Sequence, residues 1–402
     1  MKILFVSEHY KHNVQGGGEI NLTSLCEALA ERHDVHVLTS FGKKKSVEVM
    51  DGVTVYCTVK TGSVDTLLGN VQRSLFFPRS VVRELKLLLS KQNYDVIHLI
   101  GSTLQIAPLI KKISTTPLVA TVESYLALCP KGDFICGDTV DISRWSFFHF
   151  ALCVLKSPEI GKMVNKWYLR FNPVFWVVSY LRYIKMRKGL FAVHPLAVSS
   201  FIQVLLKKFY GVESTVVPNF VDVPLFRRAG KANNKPVVLY LGSLTRYKGV
   251  EVLLRAAKGC VVKIYGAGVL KMQLLEYITK NHIDATIYDP VPYAEIPSVY
   301  AGADIVVFPS LWPEPFGRIA IEAMAAVKTV IGSDIGGISE TLKDVGVLVK
   351  PGDVGQLRVA LQRLLKDEEL REKMSVAGRK RAMIYSKEKV VNELVGVYEG
   401  VI

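Results

Sequence analysis

The feature that most constrains the fold is a regular alternation of short apolar runs with stretches of helical spacing. Lys2 to Ser7 is an apolar run typical of a strand, Glu19 to Arg32 has apolar residues at helical spacing, and Val35 to Thr39 is again strand-like. Further strands are predicted at Val53 to Val59, Val96 to Ile100, Leu118 to Val122 and Leu190 to Val198. Strands that alternate with helices form parallel, doubly wound sheets, so the sequence predicts an α/β fold.

The alternation stops once and then starts again. After Val217 the stretch PNFVDVPLFRRAGKANNKP clusters Pro, Gly and Asn without any period, which is typical of a linker. In the second series, strands are predicted at Val237 to Leu241, Val261 to Tyr265, Ala285 to Tyr288, Ile305 to Phe308, Thr329 to Ser333 and Gly346 to Val349, and helices at Val250 to Lys258, Leu270 to Asn281 and Arg318 to Ala326.

These boundaries predict a domain over residues 1–218, a linker over 219–235 and a second domain over 236–385. The closing residues 386–402 are predicted to form a helix, with apolar residues on one side from Lys387 onwards. A chain of 402 residues is long enough for two domains of ordinary size. Two doubly wound domains leave a cleft between the carboxyl ends of their sheets, and ligands of such folds bind outside those ends.

The positive charge of the chain is concentrated in one segment. The formal net charge is +15, and between Arg144 and Ala192 nine basic residues stand against the single acid Glu159. Aromatic residues from Trp145 to Tyr180 are interleaved with these bases, which is typical of a helical segment in an anionic membrane interface. The alternative is a helical hairpin that packs on the protein and leaves its bases solvated.

The same charge predicts an anionic partner, and we expect a phosphate-bearing substrate and an anionic membrane surface but no nucleic acid. The uncharged run Phe171 to Leu181, between Arg170 and Arg182, is far shorter than the roughly 20 residues that a membrane-spanning helix needs. The N-terminal MKILFVSEHYK is typical of a first strand and not of a secretion signal. We therefore expect a cytoplasmic protein that is peripheral on the inner face of the membrane.

Three glycines, Gly16, Gly17 and Gly18, precede the first predicted helix. Glycines at this place let backbone N–H groups approach a phosphate or another anion. The dinucleotide fingerprint is absent, because Asn21 stands where its third glycine should be and the loop from Glu8 is too long for its tight turn. A surface loop without a ligand is the alternative.

A second loop, YLGSLTRYKG, again follows a strand and opens a helix. Arg246 and Lys248 near the helix start provide fixed charge for a pyrophosphate, and a solvated basic turn is the alternative. A similar strand end, IYGAG, carries Gly266 and Gly268 and is either part of the same site or a plain turn.

The stretch EPFGRIAIE places two carboxylates eight positions apart. Pro313 and Pro315 stiffen the loop around Glu314, and Phe316 to Arg318 begin a helix whose first N–H groups have no partner within the helix. A carboxylate accepts two hydrogen bonds at once, so Glu314 and Glu322 can each hold a sugar diol. DIGGISE repeats the order of strand, glycines and helix. With no Asp-x-Asp pair in a loop, we expect no metal.

The runs FPSLWPEPFGRIAIEAMA, SDIGGISE, GSLTRYKG, VPNFVD and GGGE together resemble the family-4 glycosyltransferases, which are retaining enzymes of the GT-B fold. The resemblance implies two tandem Rossmann-like domains that face each other across a cleft, with the closing helix crossing back to the N-terminal domain. It implies transfer of a hexose from a nucleotide-diphosphate sugar, with retention. The basic segment favours a lipid-linked or cell-envelope glycan as the acceptor. It implies neither a metal nor another cofactor.

The resemblance also assigns roles to residues. Glu322 would hold the donor ribose and Glu314 the transferred sugar, to which Phe316 and Gly317 would offer backbone N–H groups. Lys248 would neutralise the diphosphate, and Gly17 and Gly18 would meet the donor phosphate or the acceptor. The wider donor site would include Arg318, Arg246, Ser243, Gly266 and Gly268.

Two positions depart from the family pattern. Ser243 stands where an arginine is usual, and Arg246 could compensate for it. Glu123 stands where a histidine is usual, and its carboxylate is an alternative base or nucleophile, as in retaining glycosidases. These departures leave open a catalytically inactive protein that binds nucleotide sugars. A separate alternative is an NAD-type oxidoreductase on tandem Rossmann domains, which the absence of the dinucleotide fingerprint disfavours.

Overall fold

A computed structural model describes residues 1–11, 17–42, 44–62, 69, 72–73, 76–137, 139–157, 170–226 and 235–402. They divide into two compact units: Met1–Val217 with Val391–Ile402 form the first, and Pro218–Val390 form the second. Each unit contains a mainly parallel sheet with helices between its strands, so the predicted pair of Rossmann-like α/β domains is confirmed.

The first unit is built on an eight-stranded sheet. The strands of this sheet are β1 Lys2–Val6, β2 Asp34–Ser40, β3 Ser46–Met50, β4 Val53–Val59, β5 Val96–Ile100, β6 Leu118–Val122, β9 His194–Ala197 and β10 Thr215–Val216. Between β6 and β9 the chain forms a separate two-stranded ribbon of β7 Ile135–Cys136 and β8 Thr139–Val140. Its helices are α1 Gly17–Ala30, α2 Phe77–Leu89, α3 Ala107–Ile110, α4 Phe147–Lys156, α5 Pro173–Leu190 and α6 Ser200–Tyr210.

The strand order of this sheet is β10-β9-β6-β5-β1-β2-β4-β3. All neighbours run parallel except the edge pair β3 and β4. The chain proceeds from β1 to β2 and β4 on one side, and then returns to place β5 on the other side of β1. The carboxyl ends of β1 and β5 therefore flank a topological switch point, which is where open α/β sheets bind ligands.

The second unit is built on a six-stranded parallel sheet. Its strands are β11 Val237–Leu241, β12 Val261–Tyr265, β13 Ala285–Tyr288, β14 Ile305–Phe308, β15 Thr329–Ser333 and β16 Val347–Val349. Its helices are α7 Val250–Ala256, α8 Lys271–Lys280, α9 Ile296–Ala301, α10 Arg318–Ala325, α11 Gly337–Leu342, α12 Val354–Lys366 and α13 Glu368–Ala382, and α14 Lys387–Val401 begins in this unit and ends in the first.

The second sheet has the order β13-β12-β11-β14-β15-β16. Counted along the chain, this is three-two-one-four-five-six, the order of a dinucleotide-binding sheet, with its switch point between β11 and β14. Every residue of β14 and β15 is buried, as expected of central parallel strands covered on both faces. Val238 and Ile305 of the sheet pack in one apolar cluster with Leu253, Leu357 and Leu361 of the helices.

The structure corrects one expectation about secondary structure. The strand expected from Leu190 to Val198 begins only at His194, because Leu190 is the last residue of α5. An apolar run without a period does not separate the end of a buried helix from the start of a buried strand. The described part of the expected linker, residues 219–226, packs within the second unit, where Val221 bridges to Ser386 and Phe226 is buried against Tyr300.

Candidate active site

Two loops meet at the switch point of the second sheet. Lys248 ends the 3₁₀ turn Arg246–Lys248, which follows β11, and Glu314 lies in the loop between β14 and α10. A backbone hydrogen bond of 2.8 Å from Leu311 N to Tyr247 O fastens the two loops together. The doubly wound topology therefore brings together two charged residues that are 66 positions apart in sequence.

Lys248 and Glu314 form a direct ion pair, in which Nζ of Lys248 donates to Oε1 of Glu314. The lysine side chain is 20% exposed and the glutamate side chain 9%, so the pair is largely removed from water. Oγ of Ser310 donates to the same carboxylate oxygen at 3.3 Å. The lysine nitrogen also lies 5.0 Å from the ring centre of Trp312, within the range of a cation–π contact.

Gly249 explains how the two loops come so close. Its φ of +72° lies in the left-handed region, and a Cβ at this position would overlap the carbonyl oxygen of Pro309. Only glycine can adopt this φ without strain and at the same time leave room for the carbonyl oxygen. The glycine directly after Lys248 is therefore part of what holds the lysine beside Glu314.

Glu322 lies on the second turn of α10 and is 6% exposed. Its Oε1 accepts from Nε of Arg318 at 2.8 Å and from the hydroxyl of Tyr293 at 3.3 Å, and its Oε2 accepts from the hydroxyl of Tyr300 at 3.1 Å. Burial and the Glu322 carboxylate raise the pKa of both tyrosines, so both keep the protons that they donate. A carboxylate has about four acceptor positions, of which these donors use three.

The start of α10 is covered by the loop that follows β15. Gly317 is the N-cap residue of the helix with φ +97°, and Phe316 packs edge-on against Tyr385 at 5.5 Å. Gly337 N donates to the carbonyl oxygen of Glu314 at 2.8 Å, and a Cβ on Gly337 would lie 2.6 Å from Cα of Phe316. The motif DIGGISE therefore supports the backbone of the motif EPFGRIAIE.

The remaining donor-side predictions lie at the ends of β11 and β12. Ser243 and Arg246 are exposed, and Oγ of Ser243 lies 3.3 Å from Oγ1 of Thr245. A Cβ on Gly266 would overlap the carbonyl oxygen of Gly242, and a Cβ on Gly268 would contact Leu244. The glycines of IYGAG thus let two neighbouring loops of the sheet lie against each other.

Glu123 lies in the first unit, one residue after β6. It faces a polar cavity of about 250 Å³ whose wall also includes Gly18, Glu19, Gly101 and Ser124. A Cβ on Gly18 would lie 3.1 Å from Oε1 of Glu123, so the start of α1 is in contact with this carboxylate. Burial, together with the negative charge of Glu19, raises the pKa of Glu123 to about 7. Gly17 begins α1, and Gly16 lies outside the described residues.

Sequence reasoning missed a further carboxylate in the wall of this cavity, that of Glu8. Glu8 is 6% exposed and accepts from Nε of Arg73 at 2.6 Å, from Thr61 at 2.8 Å and from Ser102 at 2.8 Å. Burial alone would raise the pKa of Glu8, but Arg73 and the two hydroxyls lower it to about 2. Its position shortly after β1, at the switch point of the first sheet, was the available signal, whereas nothing in the sequence indicates Arg73 as its partner.

Among the residues that the structure describes, no three His, Cys, Asp or Glu side chains gather in a way that could hold a metal ion. Within the same residues, no helix combines the length and the apolar character needed to cross a membrane.

Comparison with known proteins identifies the family. Residues 15–224 match the model of Glycosyltransferase Family 4, and residues 224–381 match the model of Glycosyl transferases group 1. The chain is 26% identical to an uncharacterized glycosyltransferase of Methanocaldococcus jannaschii, over 99% of this chain and 98% of the relative. It is 31% identical to the phosphatidyl-myo-inositol mannosyltransferase of Mycobacterium leprae, over 51% of this chain and 59% of the relative.

Solved structures agree with this assignment at the level of the fold. Sucrose-phosphate synthase of Thermosynechococcus elongatus is similar with a TM-score of 0.74 at 20% identity, over 99% of this chain and 98% of that one. The Anabaena protein HepE, in complex with UDP, is similar with a TM-score of 0.68 at 18% identity, over the full length of both chains. The oxidoreductase alternative is therefore wrong. The chain belongs to glycosyltransferase family 4 and is a glycosyltransferase of the GT-B fold.

Proposed function

We propose that this glycosyltransferase takes a hexose from a nucleoside-diphosphate sugar and transfers it with retention of configuration, without a metal ion. The observation that carries the proposal is the meeting of Lys248 and Glu314 at the switch point of the second sheet, with Glu322 on the helix that follows. A cation for a diphosphate and two buried carboxylates for sugar hydroxyls are the groups that such a donor requires.

The ion pair gives Lys248 a specific role in this reaction. Cleavage of the sugar–phosphate bond builds negative charge on the departing diphosphate, and preorganised cations and N–H donors lower the barrier by stabilising that charge. Lys248 would face the diphosphate while Glu314 fixes its position, and the exposed Arg246 would add a second charge in place of an arginine at Ser243.

Glu322 would hold the ribose of the donor. Three of its acceptor positions are used by Arg318, Tyr293 and Tyr300. Because a diol would need two positions, one of these donors has to break its hydrogen bond to the carboxylate when the ribose binds. Arg318 lies on the same helix four residues earlier and belongs to the proposed donor site for this reason.

The cavity beside Glu123 would receive the acceptor. A carboxyl with a pKa of about 7 is suited to accept a proton from an attacking hydroxyl, and the loop of Gly17 and Gly18 borders the same cavity. We propose a lipid-linked or cell-envelope glycan as acceptor, which is supported by the partial match to a mannosyltransferase named for phosphatidyl-myo-inositol. The proposed compartment is the cytoplasm, in agreement with six cysteines that are all free thiols.

The test is a binding and turnover panel on the full chain. UDP-glucose, UDP-N-acetylglucosamine and GDP-mannose are titrated by calorimetry into the wild type, into Glu322→Ala and into Glu276→Ala, which removes an exposed carboxylate on α8. We expect one nucleotide sugar to bind the wild type and the control, and Glu322→Ala to weaken that binding at least tenfold because the ribose loses a buried acceptor.

Release of nucleoside diphosphate is then followed with a lipid extract as acceptor. Release by the wild type supports the proposed transfer, and analysis of the anomeric configuration of the product tests retention. Donor binding without any release would overturn it in favour of an inactive protein that binds nucleotide sugars. Unchanged binding by Glu322→Ala would remove the assignment of the ribose to this residue.

A further inference from the structure

Helices α4 and α5 of the first unit pack against each other through aromatic side chains. The ring of Tyr180 on α5 lies 5.4 Å from Phe147 and 6.1 Å from Phe150 on α4, and its hydroxyl donates to the carbonyl oxygen of Trp145 at 3.3 Å. These rings form an internal core between the helices, so part of the aromatic pattern of this segment is explained by packing alone.

A second set of apolar side chains on the same helices points into solvent. The exposed apolar residues on α4 are spaced four and three positions apart, and those on α5 three and four positions apart. Each set therefore lies on one face of its helix. Phe148 is the most exposed of them at 79%, and Phe171, just before α5, is 51% exposed. We call these residues the apolar stripe: Phe148, Leu152, Leu155, Phe171, Val174, Val177 and Leu181.

Basic residues lie on the same two helices as the apolar stripe. The described residues 144–157 and 170–192 contain seven bases and neither Asp nor Glu. Lys156, Lys185 and Lys188 are exposed, whereas Arg144 and Arg187 lie 5.9 and 5.7 Å from the ring centre of Tyr210. Three lysines are thus available to a partner, on the helices that carry the exposed apolar side chains.

We propose that the apolar stripe and the three lysines form a surface that docks on an anionic membrane. Aromatic and aliphatic side chains of a helix enter the boundary between headgroups and acyl chains, while lysines reach anionic headgroups with their long stems. Charge favours this occupant, because a second copy of the chain that docked through the same surface would bring its own three exposed lysines against these three and be repelled. Docking places the first unit, which holds the proposed acceptor cavity, at the membrane surface.

This inference stands apart from the chemistry of sugar transfer. Vesicle binding is measured without any nucleotide sugar. The experiment therefore distinguishes a protein that binds the membrane but transfers no sugar from one that transfers sugar but does not bind the membrane. The two proposals therefore fail separately.

The test is flotation of the full chain with vesicles of phosphatidylcholine that do or do not contain phosphatidylglycerol, at low salt and at about 1 M salt. Two double variants probe the surface: Phe148→Ser with Leu152→Ser, and Lys185→Gln with Lys188→Gln. Their matched controls change exposed residues elsewhere in the same unit, Val47→Ser with Val49→Ser on β3, and Lys111→Gln with Lys112→Gln after α3.

We expect binding to anionic vesicles at low salt that is lost at about 1 M salt and is absent with phosphatidylcholine alone. Each lysine near an anionic surface contributes about fivefold to partitioning, so the lysine variant should bind about 25-fold more weakly. The serine variant should lose at least tenfold, and both controls should bind as the wild type does. All four variants change exposed side chains, so thermal midpoints close to that of the wild type confirm that they fold.

Three results would overturn the proposal. Absence of flotation at low salt would mean that this surface does not bind lipid. Equal binding of the lysine variant and the wild type would place the contact elsewhere. The wild type could instead sediment as a dimer, and Phe148→Ser with Leu152→Ser as a monomer, while neither protein floats with vesicles. The surface would then bind a second copy of the chain.

Discussion

Replacement of Lys248 by methionine tests the ion pair at the switch point of the second sheet. The substitution keeps an unbranched side chain of nearly the same length but removes the ammonium group, and with it the cation–π contact with Trp312. Among the described residues, Ser310 is then the side chain that still donates to Glu314, at 3.3 Å. Removal of one partner of a buried pair costs about 3–5 kcal/mol, and the 20% exposure of the lysine places this case at the lower end, about 3 kcal/mol. For a unit of this size that corresponds to a fall in thermal midpoint of about 6–12 °C.

A double-mutant cycle separates this structural effect from the proposed contact with the donor. Glu314→Gln added to Lys248→Met removes the orphaned charge, so we expect about 2 kcal/mol of the lost stability to return. Donor affinity should not return, because neither group that would face the diphosphate and the sugar is restored. Differential scanning calorimetry measures the first quantity and titration calorimetry the second. A thermal midpoint of Lys248→Met within about 2 °C of the wild type would refute the reasoning, since the pair would then contribute no more than an exposed one.

Four further results follow from the structure. Lys248→Ala should weaken donor binding more than Arg246→Ala, and titration that shows the reverse order would make Arg246 the principal phosphate ligand. The folded-state pKa of Glu123 is raised to about 7 from an ordinary 4.5, so the wild type should lose stability as the pH rises through this interval. Glu123→Gln should remove that loss, so at pH 8 the variant should be more stable than the wild type by up to about 3 kcal/mol in thermal unfolding. At pH 4 the two proteins should have nearly the same stability. The pKa of Glu8 is lowered to about 2, so its contribution is present above pH 4.5 and is lost as the pH falls towards 2; Arg73→Met should shift this acid transition upward in denaturation curves. Gly249→Ala should destabilise the second unit by more than about 3 kcal/mol, whereas Gly396→Ala, in the open on α14, should stabilise the chain by about 0.5–1 kcal/mol, as urea unfolding would show.

The fold could be predicted because its signal is repeated along the chain. Most of the buried parallel strands are short apolar runs, and the second half repeats the alternation of the first. Strand β3 was not predicted, because it is an edge strand whose apolar residues Val47 and Val49 are exposed, so its sequence lacks the apolar run of a buried strand. Helices α12 and α13 also escaped prediction, since they follow the last motif of the chain and carry no site.

The partners of each site residue were harder to predict than the residue itself. Glu322 stands out in the sequence through its distance from Glu314, but Tyr293 and Tyr300 reach it from the segment before β14 and carry no motif. Arg73 meets Glu8 across 65 positions of sequence. Such contacts depend on loop paths between strands, and spacing within one element says nothing about them.

The two switch points show why similar topology does not give similar chemistry. In both sheets a glutamate follows a strand at the switch point, and each is buried: Glu8 near β1 and Glu314 after β14. Glu8 accepts from a guanidinium and two hydroxyls and has a pKa of about 2, so it remains an anion at any physiological pH and is unsuited to take up a proton. Glu123 follows β6, which lies two strands from β1 in the same sheet. Among the described residues that line the cavity, the one Arg or Lys is Arg73, which Glu8 holds, and desolvation brings the pKa of Glu123 to about 7. Of these two carboxyls, Glu123 is therefore the one suited to the proton transfer that we propose for this cavity, whereas Glu8 accepts hydrogen bonds from Arg73 and Ser102.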